Sequence, residues 1–109
     1  MVVIVVTFLF PHAKSPQVAK KNIEMIQKYP SDPSISKTAC LAANPTLDGM
    51  KVLAMIEVAK GKVSEAIDRL GKQYQEFALE IEGLKYQMET YMSIAEAYKL
   101  LSMEPPPED

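Results

Sequence analysis

Only a few positions in this sequence carry side chains able to do chemistry: one histidine, one cysteine, a strand-borne carboxylate and a set of methionines and tyrosines at alternating spacing. His12 stands in Pro-His-Ala-Lys, directly after an apolar run, where a strand end can border a pocket. A neutral imidazole there could act as a base near pH 7. No nucleophile or orienting carboxylate can be assigned to it by spacing, so an exposed loop histidine is the favoured reading. Glu57 is the one charge near the end of the apolar run 50–59. It could be a pocket acid or a cation ligand, or it could simply be solvated or paired with Lys37 or Lys85. Cys40 has no basic neighbour in sequence to depress its thiol pKa and reads as a small hydrophobe. Met55, Tyr86, Met88 and Tyr91, with Met50 and Met92, place soft and aromatic groups on two segments and could line an apolar ligand pocket, although core and interface packing is the commoner use of such residues.

The elements that must position these residues follow from periodicity. In residues 62–82, Val63, Ile67, Leu70, Tyr74, Phe77 and Ile81 recur at steps of four and three, an apolar stripe along one helix face. Glu65/Arg69 and Asp68/Lys72 are i,i+4 pairs on the opposite side. Val2 to Phe10 is β-branched and aromatic with only Thr7 polar, so it reads as a central strand covered on both faces, stopped by Pro11. Ser15-Pro16 opens a second helix, with Ser15 as its cap. Val18, Ala19, Ile23, Ile26 and Tyr29 should lie on its covered side, and Lys20, Lys21 and Lys28 on a solvated basic face. Residues 35–43 read as a second strand, 44–49 as a turn, 50–59 as a third strand apolar on both faces, and 84–92 as an alternating edge strand. Ser93 caps a short helix to about residue 102, and residues 104–109 form an acidic, proline-rich tail.

The 109 residues fit one domain, 1–103, followed by that tail. Hydrophobic residues make up 48%, enough for a core. A net charge of −2 with dispersed lysines argues against a general nucleic-acid binder. One cysteine and one histidine supply neither a disulfide framework nor a Cys/His zinc site within one chain, so no metal and no cofactor are expected. The apolar N-terminal run lacks preceding positive charge and is too short to span a bilayer, which points to a soluble, cytoplasmic protein.

The element order β-α-β-β-α-β-α is the split βαβ plan with one added helix, for which the strand order is 4-1-3-2 with the first and third strands central. Those are the two segments without polar alternation. Two helices cover one sheet face and leave the other bare and partly apolar. A homodimer with the two sheets face to face, or a higher even-numbered homo-oligomer, would bury it.

The run VVIVVTFLF, the Ser15-Pro16 helix, the 44–49 hairpin, the 62–82 helix and LKYQMETYM together resemble the ferredoxin-like dimeric α+β barrel superfamily. The chain is similar to small crenarchaeal proteins of that type, which implies an archaeal source, an α+β fold and a dimer. Members include cofactor-free monooxygenases, isomerases, haem-binding enzymes and ligand-sensing modules, and no signature motif carries a catalytic residue over. The RNA-recognition module shares the βαββαβ order but needs stacking aromatics on its central strands; the third strand has none and the pattern KGFGFVxF is absent. The expected function is a dimeric module that binds a small hydrophobic ligand or a partner, with neither nucleic acid nor membrane as target. The alternative is a cofactor-free enzyme with a hydrophobic substrate between sheet and helices, in which His12, Glu57, Tyr86 and Tyr91 would be the residues to examine.

Overall fold

In a computed structural model describing residues 2–107, the chain is an α+β protein with one open antiparallel sheet of four strands. The elements run β1 (Val2–Phe10), α1 (Ser15–Lys28), β2 (Ser36–Thr46), β3 (Gly49–Val58), α2 (Val63–Glu80), β4 (Lys85–Met92) and α3 (Ile94–Leu100). The sheet order is β2-β3-β1-β4, the expected 4-1-3-2 seen from the other edge, with all neighbours antiparallel. Of the tail, residues 108 and 109 lie outside the described residues; Glu104 to Pro107 are exposed.

Strand alternation sorts the sheet into two faces. Ile4, Val6, Phe8 and Phe10 of β1 are buried on one face beside Ala54, Ile56 and Val58 of β3, and both α1 and α2 pack there through Val18, Met25, Ala66, Leu70 and Phe77. The opposite face carries Val3, Val5, Thr7 and Leu9. These face Glu57, Met55, Leu53 and Lys51 on β3 and Tyr91, Glu89, Gln87 and Lys85 on β4.

Local boundaries differ from expectation in ways that have causes. A 3-10 turn at His12–Lys14 precedes α1, so Ser15 is already helical and makes no side-chain cap. The strand β2 continues through Asn44 and Pro45 to Thr46, and the hairpin turn shrinks to Leu47 and Asp48. Proline is tolerated because β2 is an edge strand. Thr46 closes the turn: its hydroxyl donates to the Gly49 carbonyl at 2.7 Å and accepts from the Asp48 amide at 3.2 Å. Gly49 has φ 141°, and a Cβ there would stand 2.4 Å from the Phe10 carbonyl oxygen, so only glycine fits. Ser93 caps α3 as expected, its hydroxyl accepting from the Glu96 amide.

Helix α1 is rotated from its expected face, and α2 keeps Val63, Leu70, Tyr74, Phe77 and Ile81 on the covered side while departing at one position. Ile23 and Ile26 of α1 are exposed, and Lys21, assigned to solvent, is only 7% exposed. On α2, Ala66 is buried and Ile67 points outward. The rotation brings charged groups of the two helices together. Lys21 is turned toward α2, where its Nζ lies 2.5 Å from a Glu80 carboxylate oxygen and 3.8 Å from Glu76, while Lys28 donates to Glu76 at 2.6 Å and the Tyr29 hydroxyl donates to the same oxygen at 3.1 Å. The basic face of α1 is thereby partly consumed in the clamp between the two helices.

This clamp makes stability sensitive to acid. The Lys28 hydrogen bond, opposed by partial desolvation and helped by Tyr29, holds the Glu76 carboxyl below the usual range. The Ser34 hydroxyl does the same for Asp32, against a desolvation cost. A carboxylate whose folded pKa is depressed stabilises the fold above its unfolded pKa and loses that contribution as pH falls through the folded value. Urea midpoints should therefore decline as the pH drops below about 4.5, the ordinary carboxylate range. Glu76→Gln should be less stable at pH 7 and show a shallower acid decline; an identical slope in both proteins would remove Glu76 from the account.

Candidate functional site

Between the helices and the sheet lies a groove of about 610 Å³. Its floor is Phe8, Val52, Ala54 and Ile56, and its walls are Val18, Met25 and Ile26 of α1 and Leu70, Tyr74 and Phe77 of α2. It exists because the helices do not reach the β2 edge. Leu41 and Ala43 of β2 face the same side as Ala54 and Val52, their register partners, and both are exposed. The groove is therefore open along β2.

An aromatic cluster stiffens the α2 side. Phe8 lies 6.0 Å from Phe10, 5.4 Å from Tyr74 and 6.2 Å from Phe77 between ring centroids, and Tyr74 reaches Tyr86 at 5.8 Å. Offset arrangements of this kind add about 0.5–1.5 kcal/mol per pair beyond area burial. Burial pushes the Tyr74 hydroxyl up to about 12, so it is neutral at physiological pH and serves as a wall rather than an acid.

Polar groups gather at the end where α1 leaves the sheet. Arg69 and Gln73 of α2, Ser36 and Thr38 of β2, and Asp32 line it. The Arg69 guanidinium donates to the Pro30 carbonyl and stands 3.8 Å from Asp32. Arg69 was expected to pair along its own helix with Glu65. Instead Glu65 meets Lys62 at 3.3 Å, while the expected Asp68–Lys72 pair forms at 3.0 Å. The groove thus joins a long apolar trough to one cationic end with a single carboxylate beside it.

The residues singled out from sequence are distributed over separate surfaces. His12 is exposed, and its Nε2 donates to the Thr46 carbonyl at 2.8 Å, tying the 3-10 turn to the hairpin. Glu57 lies at the other end of the sheet, on the open face, opposite Val3 and Lys37. The seven residue steps from Val3 to Phe10 span about 23 Å of strand, so His12 and Glu57 cannot act on one substrate. Met55 and Tyr91 are on the open face, opposite Val5 and Val3. Tyr86 and Met88 are on the helix side, Tyr86 donating to Gln75 at 3.0 Å and Met88 beneath Gly71. These four side chains do not converge on one cavity, and none lines the groove. A shallow depression of about 420 Å³ is bordered by Thr7, Leu9, Thr46, Asp48, Lys51, Lys85, Gln87 and, of the four candidates, Tyr86. Among the described residues no three His, Cys, Asp or Glu side chains are placed to hold a metal, and no helix is long and apolar enough to cross a membrane.

Sequence reading did not single out Gln73 or Leu41, and it gave Arg69 only a helix-surface role. Gln73 lay in no pair, and Leu41 belonged to a strand whose helix cover was taken for granted. The one available signal was Arg69, the chain's only arginine among eleven lysines. Its planar fork suits shared contact with a carbonyl and a carboxylate better than an ammonium does.

Comparison with protein-family models finds no match, and comparison with curated proteins finds none either. Among solved structures the chain is similar to "De novo designed protein Foldit4", with a TM-score of 0.54 and 11% identity over 84% of this chain and 96% of that one. At that identity the likeness concerns the small α+β fold alone.

Proposed function

We propose that this chain is a ferredoxin-like, homo-oligomeric binding module whose ligand is a small apolar molecule with an acidic or hydrogen-bonding end. The apolar body lies in the groove between α1, α2 and β3, and the polar end meets Arg69 and Gln73. The observation that carries this reading is the groove itself: about 610 Å³, walled by aromatic and aliphatic side chains, with Arg69, Gln73 and Asp32 at one end and Ser15 and Asn22 along α1. Ligand sites commonly have that volume and that division of labour. A purely binding role is favoured over catalysis because His12 and Glu57 stand outside the groove and Tyr74 titrates only near 12.

Two further observations support self-association. The open sheet face carries Val3, Val5, Leu53 and Met55 on the two central strands, with Glu89 beside Val5 on β4 and Lys51, Lys85 and Glu57 nearer the strand ends. The chain exposes 7571 Å², against about 6,000 Å² for a folded monomer of this mass. Packing the open faces of two copies against each other would bury the central stripe.

The test uses 1-anilinonaphthalene-8-sulfonate, which pairs an aromatic body with an anionic group. Saturable binding with an upward thermal shift is the expected result, since ligand at a hundred times Kd stabilises by about 2.7 kcal/mol. Ala43→Phe, at an exposed position on the groove's open wall, should weaken binding at least tenfold without lowering stability, whereas Met55→Asp on the far face should leave it unchanged. Equal binding by wild type and Ala43→Phe would place the probe elsewhere and sink the groove reading.

A further inference from the structure

We propose that β2 pairs edge to edge with β2 of a second copy, antiparallel across a two-fold axis at Leu41. The two four-stranded sheets then join into one of eight strands, and the second copy closes the open side of the groove. That closure rests on the ligand-binding reading above; the strand pairing does not, and it is tested without ligand.

The edge itself is the first observation. β2 is eleven residues long, and every residue from Lys37 to Pro45 is exposed. An edge strand presents a row of unpaired N–H and C=O groups, and proteins usually blunt such edges with charge, proline or short length. Here charge and proline sit only at the ends, as Lys37 and Pro45, and Thr38 to Ala43 carries neither charge, proline nor glycine. The bulge between Thr38 and Cys40 falls to one side of Leu41 and leaves the centre regular.

The strand is also self-complementary. A two-fold axis normal to the sheet keeps each side chain on its own face, so it must pass through a residue rather than between two. At Leu41, the midpoint, the regular stretch from Cys40 to Ala42 pairs in register, and the bulge at Thr38–Cys40 ends that register on either side. Cys40 then lies opposite the partner's Ala42. Lys37 is eight residues, about 26 Å, from its symmetry mate, so like charges do not meet.

Side chains flanking the edge give the second observation. Leu41 is 62% exposed and Ile26, on the facing side of α1, is 61% exposed. Both lie on the groove's open side, where no element of the same chain covers them. A second copy joined at β2 brings its own Leu41 and α1 to that side.

Area gives the third. The exposed surface exceeds that of a typical monomer by roughly 1,500 Å², and one standard interface removes only about 800 Å² per partner. Part of that excess belongs to α3 and the tail, where Ile94, Leu100, Leu101 and Met103 are exposed, and part to the open sheet face and the β2 edge. The radius of gyration, 15.8 Å against about 13 Å for a compact chain of this length, points the same way.

Leu41→Lys puts two like charges opposite each other at the axis while altering an exposed side chain. Light scattering should report half the wild-type mass, from four chains to two if the open faces also pair, or from two to one if they do not. The circular dichroism spectrum should be unchanged, and the melting temperature should lose the concentration dependence that association gives the wild type. Hydrogen exchange of residues 38–43 in wild type should slow as protein concentration rises. In a second variant, Ala42→Cys, the new thiol stands opposite the partner's Cys40, and the 4.5–5.5 Å Cα spacing of opposed antiparallel residues suits a disulfide. Mild oxidation should yield a cross-linked dimer that Cys40→Ser abolishes. An unchanged mass for Leu41→Lys, or concentration-independent exchange with no cross-link, would overturn the proposal.

Discussion

Phe8→Ala is expected to lower the stability of the fold by about 3–5 kcal/mol, the range for emptying a buried aromatic site. Phe8 is the hub of the helix-side cluster, touching Phe10, Tyr74 and Phe77 within 6.2 Å between centroids. Its neighbours are held by two different elements, Phe10 by β1 and Tyr74 and Phe77 by adjacent turns of α2, so they cannot collapse together into the space. Small domains have only about 5–15 kcal/mol in total, so the variant should be partly unfolded at 37 °C. Phe8→Leu, which keeps most of the volume, should cost about half as much. Urea denaturation read by circular dichroism checks both, and losses below about 1 kcal/mol for Phe8→Ala would mean that the cluster does not carry the core. Because Phe8 also floors the groove, the alanine variant should bind the naphthalene probe differently even where it remains folded.

Met55→Asp should separate the sheet faces. Met55 is 38% exposed in the single chain, in the middle of the open face, with Val5 opposite it on β1 and Cys40 opposite it on β2. In a lone copy an aspartate there stays solvated, so folding should change by well under 1 kcal/mol, as at other surface positions. Between two packed sheets the same carboxylate would be buried without a partner charge, at a cost of several kcal/mol per ion, and two-fold symmetry places two such charges in one interface. Light scattering at micromolar concentration should report half the wild-type mass, with an unchanged circular dichroism spectrum. This outcome is independent of Leu41: a full-mass Met55→Asp would dispose of face packing and leave the strand pairing to be judged by its own variants.

Strand identity and sheet order were legible in the residues themselves. Val2 to Phe10 and the run ending at Val58 are apolar on both alternating faces, which only central strands need, and the polar alternation of residues 85–92 marks an edge. These are local properties, set by period and composition. Helix existence was equally plain, since the stripe of α2 is visible in its spacing. Which residue of that stripe faces inward was not. Ala66 is buried and Ile67 is not, because which edge of the stripe meets the sheet depends on how the helices pack together, and a one-residue turn of a helix is invisible to periodicity. The candidate site depended still more on tertiary structure. Met55, Tyr86, Met88 and Tyr91 looked like one set by type, yet strand parity and register divide them between two faces. Arg69 reached a groove because Asp32 and the Pro30 carbonyl, more than thirty residues away in the chain, offered it better partners than Glu65 four residues back. The groove exists because two helices cover three strands and stop short of β2, a matter of how far packed layers extend that no stretch of the chain records.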